Sequence, residues 1–399
     1  MADQPLVASH AAEPAGRITS LDILRGIALL GMIVVHFHDH STEPGGFEDV
    51  IRTLIWRMVE TKSHGTFAML FGAGFALQFM RMETRGLSIT PFYLRRLAVL
   101  FVMGFCAHAF FGFNVLLGYA TWGVALLFIR NWSDRNLVFA LVFSATSVVL
   151  YNLVIRLYLT GTSGNAGVDA FYAAKVAEAR GIYGALDAAQ AQGNYLVLLG
   201  ARLHHMAWFY RQAWCLMPAN TMVLFITGLL MIRHRVFEDV KGHRKGLILF
   251  AIFGVASWAV ANWVLDPLDI GSIYGLVRDQ WLTFTYVSCA LLLMAYRPGL
   301  VPRLNVFASA GRMALTNYVV QIAAIDLLFS GYALGLGKVR PLYGLMMALT
   351  LFTLEAAFST WWLRHYRFGP LEWVWRSLTY GRKQPMRRLA PITEQPVEA

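Results

Sequence analysis

Apolar runs of roughly 17–25 residues recur from end to end of this chain, the length that a helix needs to cross a hydrocarbon core. Water is absent there, so each run must satisfy its own backbone polar groups within a helix. The composition agrees: 57% of the 399 residues are hydrophobic and 14% charged. The expected fold is all-α, a polytopic integral membrane protein.

About ten apolar segments are counted, at approximately 21–38, 64–80, 94–113, 115–130, 136–159, 213–232, 246–265, 281–297, 304–330 and 342–364. The fourth and eighth are short. Pro91, Pro298, Pro302 and Pro341 stand at segment boundaries, where helix breakers belong. Tyr, Trp and Phe gather near segment ends, as interfacial aromatics do. Residues 1–20 lack the apolar core of a cleavable signal, so the first run reads as a retained anchor behind Arg17.

Connection charges set the orientation. Arg81, Arg85, Arg95 and Arg96 stand between the second and third segments, and Arg233, Arg235, Lys241, Arg244 and Lys245 between the sixth and seventh. Arg130 and Arg135, Arg297 and Arg303, and the basic tail fall on that same side; Lys338 and Arg340 oppose the trend mildly. The positive-inside rule then puts both termini in the cytoplasm. The net charge of +11 is accounted for by this bias, with contact to anionic lipid. It does not indicate nucleic acid. An anionic cytosolic substrate is the sharper alternative.

Three regions follow: a cytoplasmic tail at 1–20, a transmembrane domain at 21–364, and a basic amphipathic tail at 365–399, disordered beyond Gly381. Within the domain, the connection at about 160–212 is too long to be structureless. Its pattern in VDAFYAAKVAEARGIYGALDAA and YLVLLGARLHHM predicts amphipathic helices on the outer surface. Cys106, Cys215 and Cys289 lie in separate apolar stretches and read as buried, inert thiols.

The first segment carries the densest chemistry. In LDILRGIALLGMIVVHFH, Arg25 and His36 are eleven positions apart, about three helical turns, so both face the same way. Asp22 joins that stripe one turn before Arg25. Ionisable groups inside a membrane segment are expensive and mark candidate sites. A neutral His36 there would take a proton from an acceptor hydroxyl, while Arg25 would hold an anion. A structural Asp22–Arg25 pair and a hydrogen-bonded histidine is the plainer reading. His36, His38 and His40 do not form a metal site on a helix, because His38 points away.

Elsewhere, Gly65, Gly72 and Gly74 leave a smooth strip on the second segment, which favours tight helix packing. Arg95 and Arg96, with Arg81 and Arg85 before them, suit phosphate groups or serve topology alone. His108, Asp326, Glu355, Asn317 and Gln321 are further polar groups within segments, each able to bond a neighbouring helix. No P-loop, dinucleotide fingerprint, nucleophile elbow or zinc spacing occurs in a credible context.

LDILRGIALLGMIVVH resembles the opening helix of the multi-pass acyltransferase-3 superfamily, whose hallmark is a basic residue, ten residues, then histidine; Arg25 and His36 match it. FAMLFGAGFAL and YLRRLAVLFVMGFCAH resemble that group's next two helices, with Ala73 where a serine is usual. Over residues 17–381 the chain resembles more closely the YeiB-like bacterial proteins of unknown function, related to the heparan-alpha-glucosaminide N-acetyltransferases. The matching stretches are RRLAVLFVMGFCAH, GNYLVLLGAR, ASAGRMALTNYVVQ and FGPLEWVWRSLTYG. Many YeiB-like members have asparagine where His36 stands, so this chain departs towards the acyltransferase pattern.

The resemblance implies a mechanism in the cytoplasmic (inner) membrane. Acyl-CoA is the co-substrate, bound from the cytosol with its phosphates near Arg95, Arg96, Arg81, Arg85 and Arg25, without a metal. His36 acts as general base or transient acyl carrier, with Arg25 and Asp22 beside it. The acceptor is extracytoplasmic, a glycan or lipid-linked sugar, near His108, Asn317 and Gln321. The rival reading is a carrier or flippase using Asp326, Glu355 and His108, and a third is a non-catalytic scaffold.

Overall fold

A computed structural model describes residues 18–388, apart from 43–44, 85, 87, 113, 160–165, 214–216, 261 and 264–270. The described residues form helices joined by short connections, with no strand beyond two isolated backbone bridges. The helices are α1 (Thr19–Asp39), α2 (Phe47–Leu54), α3 (Lys62–Glu83), α4 (Ile89–Phe111), α5 (Leu116–Trp122), α6 (Ala125–Ile129), α7 (Asp134–Leu159) and α8 (Ala166–Ala191). They continue as α9 (Tyr195–Ala213), α10 (Met217–Arg233), α11 (Arg244–Val260), α12 (Gly271–Tyr296), α13 (Asn305–Arg312), α14 (Ala314–Phe329), α15 (Pro341–His365) and α16 (Pro370–Tyr380).

Among the described residues, α1, α4 and α15 are each long and apolar enough to cross a membrane. α13 and α14 qualify together, although they meet at a bend of 82°. α1 is the hub: 72% of its apolar stretch is buried, against 33% for α4 and for α15. Leu29, Met32 and Ile33 are fully enclosed, while Phe128, Phe139, Leu249 and Leu354 stand on the outside. A bundle that exposes so much aliphatic and aromatic surface is stable in lipid rather than water.

Close crossings hold the hub. A methyl group on Gly26 would run into the backbone of Phe307, and one on Gly311 into the carbonyl of Asp22, so α1 and α13 cross at backbone contact. Gly72 and Gly228 do the same for α3 and α10, against the carbonyls of Phe225 and Met69. The glycine strip on α3 is therefore a packing surface at Gly72. Gly74 is different: its nearest neighbour would be Arg25 Nη2, at 3.5 Å.

Several expectations need correction. The ninth segment is not one helix, because α13 and α14 part at Met313. The break frees the first amides of α14, and the Glu372 carboxylate takes them, accepting from Leu315 N at 2.7 Å and Thr316 N at 3.0 Å. The fourth segment is likewise interrupted, into α5 and α6. Helices α8 and α9 occupy the long connection. An additional short amphipathic helix, α2, continues as a π-helical turn at Ile55–Val59 before α3. Cys106 and Cys289 are exposed on the outside of the bundle, not buried; in lipid the apolar face of a helix is the outer one. Cys215 and Arg85 lie outside the described residues, as do the first seventeen residues and those beyond Arg388.

Residues 382–388, expected to be disordered, are hydrogen-bonded to the rest of the chain. Arg367 N donates to Met386 O at 2.9 Å, Arg388 N to His365 O at 3.1 Å, and Trp373 Nε1 to Gln384 O at 2.7 Å. These bonds fold the chain back on α16 and the end of α15.

Candidate functional site

The polar stripe on α1 divides between its two ends, about 16 Å apart at 1.5 Å per residue. At the Arg25 end, Arg25 Nη1 donates to Asp22 Oδ1 at 3.2 Å. Arg25 also lines a cavity of about 170 Å³ with Arg96, Arg312, Gln78, Tyr93, Glu372 and Trp375. Arg96 lies over the Trp375 indole, its Cζ 3.6 Å from the ring centroid, and its carbonyl accepts from Trp375 Nε1 at 2.9 Å. Glu372 Oε2 accepts from the Thr316 hydroxyl at 2.6 Å. Burial pushes the Glu372 carboxyl up from its ordinary range, while the bonds from Thr316 and Leu315 pull it back.

Of the arginines named for the phosphates, Arg25 and Arg96 line this cavity, Arg95 and Arg81 do not, and Arg85 lies outside the described residues. Arg95 is exposed and lies against Gly381, because neighbours on a helix point about 100° apart. Arg81 is exposed at the end of α3. Arg312 takes its place in the lining, brought in by the bend between α13 and α14.

The cavity continues along α3, whose lining residues run from Gln78 through Phe75, Gly74, Phe71 and Leu70 to Phe67. Phe67 lies three residues from His64, one helical turn. At that end of α1 the His36 and His64 rings meet edge to face, with centroids 5.9 Å apart, and Tyr318 lies 6.3 Å from His36. The Tyr318 hydroxyl accepts from Val115 N at 3.1 Å, and the Tyr119 hydroxyl donates to His64 O at 3.2 Å. His36 Nε2 is buried and has no protein hydrogen-bond partner. A buried ring nitrogen left free in this way is available to a reacting group. His36 Nδ1 is 4.0 Å from Asp39 Oδ2.

The remaining polar groups lie outside this cavity. Asn317 Nδ2 donates to Ala310 O at 3.1 Å and Ser359 Oγ at 2.9 Å, and Gln321 Nε2 to Glu355 Oε2 at 2.8 Å, joining α14 to α15. Asp326 pairs with Arg202 of α9 and accepts from the Tyr332 hydroxyl at 2.7 Å. His108 is buried with its ring 6.1 Å from His205. The three groups of the carrier reading each contact a neighbouring helix. His40 stacks on Phe329 at 4.3 Å, and among the described residues no three His, Cys, Asp or Glu side chains are grouped to hold a metal.

His64, Tyr93, Arg202, Tyr318, Glu372 and Trp375 were not singled out by sequence. All but His64 lie within the stretches that carry the family resemblance, and His64 opens the second apolar segment. Their pairing with Arg96, Asp326 and His36 across the bundle had no local signal.

Residues 17–163 match the family described as "Heparan-alpha-glucosaminide N-acetyltransferase, catalytic", and residues 231–382 match "Protein of unknown function (DUF418)". The chain is 27% identical to the uncharacterized protein YxaH of Bacillus subtilis (strain 168), over 94% of this chain and 97% of that one. It is 28% identical to an uncharacterized 39.9 kDa protein of Bacillus acidopullulyticus, over 93% and 96%. To the uncharacterized protein YeiB of Escherichia coli (strain K12) it is 27% identical, over 92% and 98%. No solved structure matches the chain to a significant degree. The chain is therefore YeiB-like over nearly its whole length, and its N-terminal part is related to the catalytic family of the heparan-alpha-glucosaminide N-acetyltransferases.

Proposed function

We propose that this protein is a membrane-embedded acyltransferase that moves an acyl group, most simply acetyl, from cytosolic acyl-CoA to an extracytoplasmic glycan or lipid-linked sugar. The observation that carries the reading is the cavity along α3. It begins among Arg25, Arg96 and Arg312 and ends one turn from the paired imidazoles of His64 and His36. A cationic mouth suits the phosphates of the donor, and an apolar bore lined by Phe67, Leu70 and Phe71 suits its uncharged arm. The N-terminal match to an acetyltransferase catalytic family points the same way.

In this reading about ten spans cross the inner membrane with both termini in the cytosol, the Arg25 end inside and the His36 end outside. Residues 1–20 form the cytoplasmic tail, 21–364 the transmembrane domain and 365–399 the basic tail. Acyl-coenzyme A supplies a thioester carbonyl open to attack. His36 Nε2 accepts the proton of the acceptor hydroxyl or amine as that atom bonds to the carbonyl carbon. The proton then passes to the departing thiolate. Arg25 and Arg96 hold the donor, and Asp22 fixes Arg25.

A general base contributes about 10²–10⁴-fold to rate. His36→Asn keeps size and polarity but cannot take the proton. It should abolish transfer from labelled acetyl-CoA while leaving coenzyme A binding intact. Full activity of His36→Asn would refute the role of His36. Solute movement across vesicles without any consumption of acyl-CoA would replace the enzyme reading with the carrier reading.

A further inference from the structure

Tyr93 is 1% exposed, and its ring is pinned on Phe75 with centroids 4.5 Å apart. Its side chain lines the Arg25-end cavity, yet its hydroxyl has no protein hydrogen-bond partner. Gln78 lines the same cavity, and its Oε1 is likewise buried and unpartnered. Buried polar atoms are normally paired, so two beside converging arginines mark a place for a polar ligand. Arg96 adds a second feature. Its guanidinium sits over the Trp375 ring, Cζ 3.6 Å from the centroid, a cation–π contact that fixes where its N–H groups are presented. Trp375 belongs to α16, which Glu372 clamps to the start of α14.

We propose that Tyr93 and Trp375 complete a diphosphate-binding site in this cavity. Tyr93 donates its hydroxyl to a phosphate oxygen, and Trp375 is the positioning residue that aims the Arg96 N–H edge at the same group. The ligand class is a diphosphate-bearing nucleotide, which rests on the donor-site reading above and adds α16 as a wall of that site.

The test titrates coenzyme A and inorganic pyrophosphate into the full-length protein in detergent micelles. Wild type should bind both saturably, and Arg96→Gln should lose both. Tyr93→Phe removes one hydroxyl and leaves the ring in place. It should weaken both ligands by at least about tenfold, the worth of one hydrogen bond to a charged group, without lowering the melting temperature of the ligand-free protein. Trp375→Ala should weaken binding similarly, and Trp375→Phe should restore most of it, because the ring face is kept. Wild-type affinity in Tyr93→Phe and Trp375→Ala, with Arg96→Gln inactive, would overturn this assignment and leave the donor reading standing. Pyrophosphate binding with the expected dependence on Tyr93 and Trp375, but none of coenzyme A, would uphold the site and overturn the donor. Binding of neither ligand to wild type would overturn both.

Discussion

Removing Arg202 tests how α8 and α9 are held. Its guanidinium pairs with Asp326 where the two side chains are only 5% and 2% exposed, and it also donates to Phe110 O at 2.6 Å. Asp326 accepts in addition from Ser330 Oγ at 2.5 Å and from the Tyr332 hydroxyl. Arg202→Met leaves a buried carboxylate with two hydroxyl donors and no cation, a loss of about 3–5 kcal/mol. Asp326→Asn leaves the buried cation with neutral carbonyl acceptors and no anion, at a similar cost. The double variant buries no charge and forfeits only hydrogen bonds, about 1–1.5 kcal/mol each where they were neutral. The cycle should therefore return a coupling of about 2–4 kcal/mol, read from denaturant unfolding of the protein in micelles. Hydrogen exchange should rise in α9 for each single variant. The exposed Arg211–Glu178 pair serves as the control and should show no measurable coupling. Coupling between Arg202 and Asp326 as small as in that control would refute the claim that this pair pins the hairpin.

Two further predictions concern packing and topology. Gly72→Ala and Gly228→Ala should each destabilise by at least about 1–3 kcal/mol, because the methyl group meets backbone of the facing helix, whereas Gly74→Ala should melt as wild type; equal melting of all three would undo the account of the α3–α10 crossing. A reporter active only outside the cytosol should give signal when fused at residue 180 and none at residue 240, and the opposite result would invert the orientation and the direction of transfer built on it.

Much of the molecule is legible without coordinates, for a physical reason. In lipid a helix must satisfy its own backbone, so the length and apolarity of each run fix the element within a few residues; α1, α4 and α15 begin and end close to the predicted limits. The same period of 3.6 residues places Asp22, Arg25 and His36 on one stripe, and Arg25 and Asp22 do pair. What periodicity does not contain is the direction in which each side chain meets the rest of the bundle. Arg95 and Arg96 are equivalent as letters, yet one reaches solvent and the other a tryptophan 279 positions away. Cys106 sits in an apolar run and faces outwards, because a membrane protein has apolar surface on both sides of each helix. The break at Met313 has no proline to announce it; it exists because Glu372, 56 and 57 positions on, satisfies the amides that the bend exposes. The chain alone thus fixes the helices and the stripe on α1. Long-range packing alone decides that His36 meets His64 and Tyr318, and that the cavity runs from the arginines along α3 as far as Phe67, since contacts between distant helices depend on glycine crossings and bends that leave no period in the sequence.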